Sequence, residues 1–151
     1  MNLQQELKSI GKTVDSLLAK DPFALQFSPD FLPELVETYP KRGGKRLRPA
    51  LTAWFCGMLG GDPKTTARTG LAIELFHNWS LVHDDIMDDA PLRRGRQTVH
   101  ERWDTNTAIL SGDAMLIEAY RQLEGYPNKV FKPLMTVFSK TTMEICEGQR
   151  Y

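Results

Sequence analysis

The chain has 151 residues, of which 41% are apolar and 25% charged, the composition of an ordinary water-soluble sequence with enough apolar residues to bury a core. Nineteen basic and nineteen acidic side chains cancel, so no global field recruits nucleic acid or an anionic membrane surface, and any anion binding is local. Cys56 and Cys146 lie far apart without metal-ligand spacing and read as buried, reduced thiols of a cytoplasmic protein rather than as a disulfide framework. No stretch reaches the roughly 18 apolar residues of a membrane span, and the N-terminus carries neither an apolar signal core nor a small-residue cleavage site.

Leu3, Leu7, Ile10, Val14 and Leu17 recur at alternating steps of four and three, which predicts an amphipathic surface helix that Asp21-Pro22 ends. A short second helix is expected from about Leu32 to Tyr39, before Pro40. Next comes a basic glycine loop, Lys41-Arg42-Gly43-Gly44-Lys45-Arg46-Leu47-Arg48, and then Pro49, a residue favoured in the first helical turn. The helix that follows, PALTAWFCGML, is nearly all apolar and stops at Gly60-Gly61. Asp62-Pro63 reads as an N-cap and first-turn proline of a long helix running to about Asp88. A polar, arginine-rich loop spans Ala90 to about Asp104. Two further helices, about Asn106 to Glu124 and about Lys129 to the end, flank the breaker Gly125-Tyr126-Pro127-Asn128. No alternating strand pattern, repeat or low-complexity tract is present, so the expected class is an all-α bundle.

The long helix ends in Leu81-Val82-His83-Asp84-Asp85-Ile86-Met87-Asp88-Asp89. At about 100° per residue, Asp84 and Asp88 stand about 40° apart on one face, and His77 lies about 20° from Asp84. Like charges one turn apart cost a few tenths of a kcal/mol, and the helix macrodipole disfavours negative charge at a C-terminus. A local rule broken in this way marks a functional site. A divalent cation removes the objection: all-oxygen donors suit a hard ion, and magnesium takes one or two carboxylates, with waters and substrate phosphates completing its octahedron. The plainer alternative is a solvated acidic helix end paired with Arg93, Arg94 and Arg96. The upstream loop from Gly43 to Arg48 sets flexible amides beside three cations just before a helix N-terminus, a setting suited to phosphate. Together with Arg93 and Arg94, it points to diphosphate groups held near one metal site.

Three blocks, GGKRLRP (Gly43 to Pro49), HNWSLVHDDIMDDAPLRRGRQTVH (His77 to His100) and AILSGDAML (Ala108 to Leu116), resemble in order and spacing the trans-isoprenyl diphosphate synthases, or polyprenyl synthetases. The resemblance implies an all-α bundle of the isoprenoid-synthase type. It also implies a homodimer that joins isopentenyl diphosphate to an allylic diphosphate with Mg2+. By the same resemblance, Asp84 and Asp88 would ligate the metal, Asp85 would support them and orient an arginine, and Arg93 would contact the allylic diphosphate. Lys45, Arg48, His77 and Arg94 would hold isopentenyl diphosphate, and Gln149 would line the allylic side. Trp79, five positions before Asp84, would limit product length to farnesyl or geranylgeranyl diphosphate, although the helical wheel alone selects Ser80. His83 and His100 are read as ordinary histidines, one step off the metal face and in a polar loop respectively.

Members of the family are about twice this length and carry a second aspartate-rich motif. Here Asp104 and Asp113 stand alone, so residues 1–151 are expected to form the N-terminal part of a single isoprenoid-synthase domain, apparently truncated and inactive by itself. Two other readings are weighed. One is a non-catalytic, synthase-like partner subunit. The other is an HD-type metal phosphohydrolase using His77, His83-Asp84 and Asp104 or Asp113.

Overall fold

A computed structural model describes residues 2–20, 39–40 and 44–149. Helix α1 spans Leu3–Lys20, α2 spans Leu47–Met58, and a 3-10 turn at Pro63–Thr66 leads into α3, Ala67–Met87. A two-stranded hairpin, β1 Leu92–Arg93 and β2 Arg96–Gln97, precedes the short α4, Val99–Arg102. Helices α5, Thr105–Leu123, and α6, Asn128–Gly148, complete the order. The expected helix beginning near Leu32 lies outside the described residues apart from Tyr39, as do residues 41–43 of the basic loop.

The caps and breakers act where the chemistry requires them. The Asp62 carboxylate accepts a hydrogen bond from the Lys64 amide at 3.0 Å. Asp104 accepts from the Thr107 amide at 2.8 Å and from its hydroxyl at 2.6 Å, satisfying an orphan donor at the start of α5. The breaker between α5 and α6 is latched to the base of α3: the Tyr126 hydroxyl donates to the Thr65 carbonyl at 2.7 Å and accepts from the Thr69 hydroxyl at 2.9 Å. Pro49 stands in the third position of α2, still within the turn whose amides have no partner in the helix.

Helix α3 runs through the middle and packs against α1, α2 and α5. Where α2 crosses α3, a methyl group on Gly70 would meet the Pro49 Cβ at 3.0 Å, so this close approach requires a small residue. Leu71, Leu75 and Phe76 of α3 join Val14, Ala119, Leu123 and Phe138 in one core cluster. Val82 joins Tyr39, Val99, Ala108 and Met115 in a second, and Trp79 packs against both. Each such large side chain contributes about 1.5–3 kcal/mol on full burial.

Three expectations are corrected. The loop after Ala90 contains a hairpin and a short helix, because strands of two residues are too short to leave an alternating pattern. The thiols are not both buried: Cys56 is half-buried and Cys146, on α6, is exposed. His100 is not in an open polar loop, for it sits in α4 with both ring nitrogens buried and without a hydrogen-bond partner among the described residues. No helix among these residues is long and apolar enough to cross a membrane.

Candidate active site

The last turn of α3 carries Asp84 half-buried and Asp85 fully buried, and Asp88 is its exposed C-cap, the Asp88 amide donating to the Asp84 carbonyl at 2.8 Å. Asp89 then takes a left-handed φ of 49°, which turns the chain out of the helix. Arg94 and Gly95 both have positive φ, 53° and 74°, the two-residue geometry that matches the twist of an antiparallel pair. This turn folds Arg93 back onto α3, where its Nε donates to Asp85 Oδ1 at 2.7 Å. The other Asp85 oxygen accepts a short hydrogen bond from the Tyr39 hydroxyl. A carboxylate 1% exposed is thereby satisfied on both oxygens.

Asp84 has a different environment. Desolvation pushes its carboxyl above the usual range, with Asp88 and Asp85 adding to the rise. Arg93 and a hydrogen bond from Gln149 Nε2 to Asp84 Oδ1, 3.1 Å long, act the other way. A carboxylate that is costly to ionise in the bare protein is one that gains from a bound cation. Among the described residues no three His, Cys, Asp or Glu side chains gather into a ligating cluster. That donor set is too sparse for a closed transition-metal site. It fits magnesium, which takes two carboxylates and draws its remaining oxygens from water and substrate.

Beside these acids lies a chamber of about 610 Å³ whose walls include Lys45, Arg48, His77, Arg93 and Arg94, together with Arg96. The expected phosphate-binding residues therefore converge although they come from the loop before α2, from α3 and from the hairpin. Burial lowers the pKa of His77, and Arg48, Arg94 and Arg93 lower it further against the opposing pull of Glu74, which favours the neutral imidazole. A second void of about 430 Å³ between α3 and α6 shares Arg48 and His77 with the chamber and is otherwise largely apolar, with Ile73, Phe76, Leu134, Val137 and Ile145. Ser80 lines this groove. Trp79 does not: its ring packs against Phe76 at 5.0 Å and His83 at 5.4 Å between centroids. Asp84, Asp88 and Gln149 line neither void.

One of the three cations counted in the basic loop turns inward. Arg46 is 6% exposed and holds a left-handed φ of 48°. Its Nε and Nη2 donate to Asp15 Oδ1 at 3.0 and 2.7 Å, its Nη1 to Glu74 Oε1 at 2.8 Å and its Nη2 to the Pro40 carbonyl at 2.6 Å. It ties α1 to α3 and forms part of the chamber wall. Sequence reasoning overlooked Arg46 and Tyr39 as site-building residues. A signal for the former was Glu74, an acid set in the apolar run of α3 with no lysine or arginine within four residues of it.

Residues 29–151 match the polyprenyl synthetase family. The geranylgeranyl diphosphate synthase of Methanosarcina mazei is 38% identical over 152 aligned positions, covering 99% of this chain and 46% of that protein. A crystal structure of a geranylgeranyl pyrophosphate synthase superposes with a TM-score of 0.87 at 47% identity, over 99% of this chain and 44% of the other. The geranylgeranyl pyrophosphate synthetase of Pyrococcus horikoshii superposes with a TM-score of 0.88 at 36% identity, over 97% and 46%. This chain thus spans a little under half the length of the relatives it matches. Its fold is the all-α isoprenoid-synthase fold, and it belongs to the polyprenyl synthetase family.

Proposed function

We propose that residues 1–151 build the N-terminal part of a single isoprenoid-synthase domain in a magnesium-dependent trans-prenyltransferase. The enzyme condenses isopentenyl diphosphate with an allylic diphosphate to farnesyl or geranylgeranyl diphosphate. The observation that carries this reading is the convergence of Lys45, Arg48, His77, Arg93 and Arg94 on one chamber, which Arg93 and Tyr39 tie to Asp85 and which adjoins an apolar groove.

In this reading Asp84 and Asp88 hold Mg2+, which when bound stabilises negative charge on the departing diphosphate as a Lewis acid. Arg93, oriented by Asp85, contacts the allylic diphosphate and stabilises the same charge as the carbon–oxygen bond breaks. Lys45, Arg48 and Arg94 hold the diphosphate of the isopentenyl unit, and His77 adds a hydrogen bond from a neutral ring. Gln149 holds Asp84 from the allylic side. The groove lined by Ser80 receives the prenyl tail and keeps water from the allylic cation. The new carbon–carbon bond forms, and the proton lost from the isopentenyl unit passes to the released diphosphate. The same reading includes a homodimer in the cytoplasm, which sedimentation and fractionation test directly.

The other readings have less support. An HD-type phosphohydrolase needs a His and Asp cluster that does not form among the described residues, and Asp104 commits its oxygens to Thr107. A non-catalytic subunit has no reason to retain both carboxylates and every chamber cation.

The test uses the full polypeptide encoded with this sequence, labelled isopentenyl diphosphate, an allylic diphosphate and Mg2+. Prenyl product is expected, abolished by chelation and reduced about 10²-fold or more by Asp84→Ala or Arg93→Ala. A folded full polypeptide that forms no condensation product refutes the proposal. The 151 residues alone contain no second aspartate-rich motif and are expected to give no turnover; robust turnover by them alone refutes that part.

A further inference from the structure

Helix α3 crosses α5 with the ring of His83 lodged against Gly112. A methyl group built on Gly112 would stand 2.3 Å from His83 Nε2 and 2.6 Å from its Cδ2, so only hydrogen fits there while the ring stays in place. The seat has other walls. The Ile109 carbonyl is 3.4 Å from Nε2 and an Asp113 carboxylate oxygen 3.7 Å. One turn back on α3, the Trp79 ring meets the imidazole edge-on at 62°. Ile109, Gly112 and Asp113 share one face of α5, spaced as neighbours on a helix surface, so a single turn forms the socket.

His83 immediately precedes Asp84 and Asp85, and α3 ends only four residues later at Met87. The backbone closes this turn, the amides of Asp88, Ala90 and Asp89 donating to the carbonyls of Asp84, Asp85 and Ile86, so what its side chains lock against sets its rotation relative to α5. We infer that the His83–Gly112 socket is a positioning device. It sets the rotation of the last turn of α3 and, through it, the direction of the Asp84 carboxylate and the alignment of Asp85 with Arg93. A β-carbon at residue 112 forces the ring back by about 1.1 Å to reach the 3.4 Å of ordinary contact, and the share of this shift that the helix takes up, rather than rotation of the ring, is what reaches Asp84. A displacement of about 1 Å at a catalytic group costs on the order of 10²-fold in rate. The catalytic consequence rests on the prenyltransferase reading above, whereas the mechanical one does not.

The experiment is a double-mutant cycle in the full encoded polypeptide, read both as melting temperature and as prenyl condensation. Gly112→Ala is expected to lower the melting temperature by about 5 °C and kcat by up to about 10²-fold, with KM for isopentenyl diphosphate changing less than kcat because Lys45 and Arg48 lie on another element and His77 stands more than one turn before His83, which leaves Arg94 as the one such contact carried by the hairpin after α3. His83→Ala is expected to lower kcat about tenfold through a freed terminal turn, and His83→Gln, whose amide nitrogen can occupy the place of Nε2, to restore most of it. The double variant Gly112→Ala/His83→Ala should be no worse than His83→Ala alone in either measurement. Losses that simply add overturn the inference. If Gly112→Ala does not fold, the His83→Ala and His83→Gln pair decides: equal kcat for the two overturns it. If the polypeptide shows no condensation, the prenyltransferase reading fails, and the melting-temperature cycle alone decides the socket.

Discussion

Arg46 offers a direct check on how the chamber is held together. Replacing it with methionine removes the guanidinium that pairs with Glu74, a residue 8% exposed, and that satisfies the Pro40 carbonyl. Breaking a buried ion pair from one side leaves an uncompensated charge and costs about 3–5 kcal/mol. At about 2–4 °C per kcal/mol for a chain of this size, Arg46→Met is expected to lower the melting temperature by about 10 °C. Asp15, the other carboxylate on Arg46, is 56% exposed in its side chain, so Asp15→Ala should cost about 1 kcal/mol or less. Replacing both buried partners, as in Arg46→Met/Glu74→Leu, should recover most of the loss because no bare charge remains. Thermal unfolding followed by circular dichroism measures all three. A drop of under about 2 °C for Arg46→Met, or a loss for Asp15→Ala as large as for Arg46→Met, refutes the argument that burial of Glu74 sets the magnitude.

Three other outcomes are expected. In the full polypeptide, Ser80→Phe should shorten the principal product by filling the groove, whereas Trp79→Ala should cost about 3 kcal/mol of stability and leave product length unchanged; chromatography of the hydrolysed products distinguishes them. His77 has a lowered pKa in the folded chain, so the unfolded chain binds its proton first as pH falls. The folded state therefore loses stability as pH drops through the ordinary histidine range near 6.5, and His77→Gln should flatten that part of the profile in denaturant titrations between about pH 7.5 and 5.5. Hydrogen bonds from Thr107 hold Asp104 below the usual carboxylate pKa. Its contribution is complete above that usual value and is lost as pH falls through the lower folded one, so Asp104→Ala should destabilise α5 at pH 7 and remove this acid-range loss in amide exchange measurements.

The hairpin and the groove show why part of the site was hidden. Arg93 and Arg94 were recognisable as cations near the carboxylates. Their separation into one arginine folded onto Asp85 and one lining only the chamber follows from positive φ at Arg94 and Gly95, a backbone choice that a run of basic residues does not announce. The helical wheel favoured Ser80 over Trp79 for the groove, and α6 forms its opposite wall through Leu134, Val137 and Ile145. Which face α6 covers is a long-range fact, so periodicity could rank the two residues but not show what each touches.

By itself the sequence determined α1, α2, α3, α5 and α6, their approximate ends and the gathering of the carboxylates, because period, proline, glycine and caps act over a few residues. The glycine loop and the arginines after the carboxylates were also plain as candidate anion contacts. Only the tertiary structure decided which charges face the chamber and which are consumed in building it. Arg46 lies in the same short loop as Lys45 and Arg48, yet it finds its partners 31 residues before it in Asp15 and 28 residues after it in Glu74. A buried charge must be paired, and the pairing is set by how α1 and α3 pack around the loop rather than by the neighbours of Arg46 in sequence.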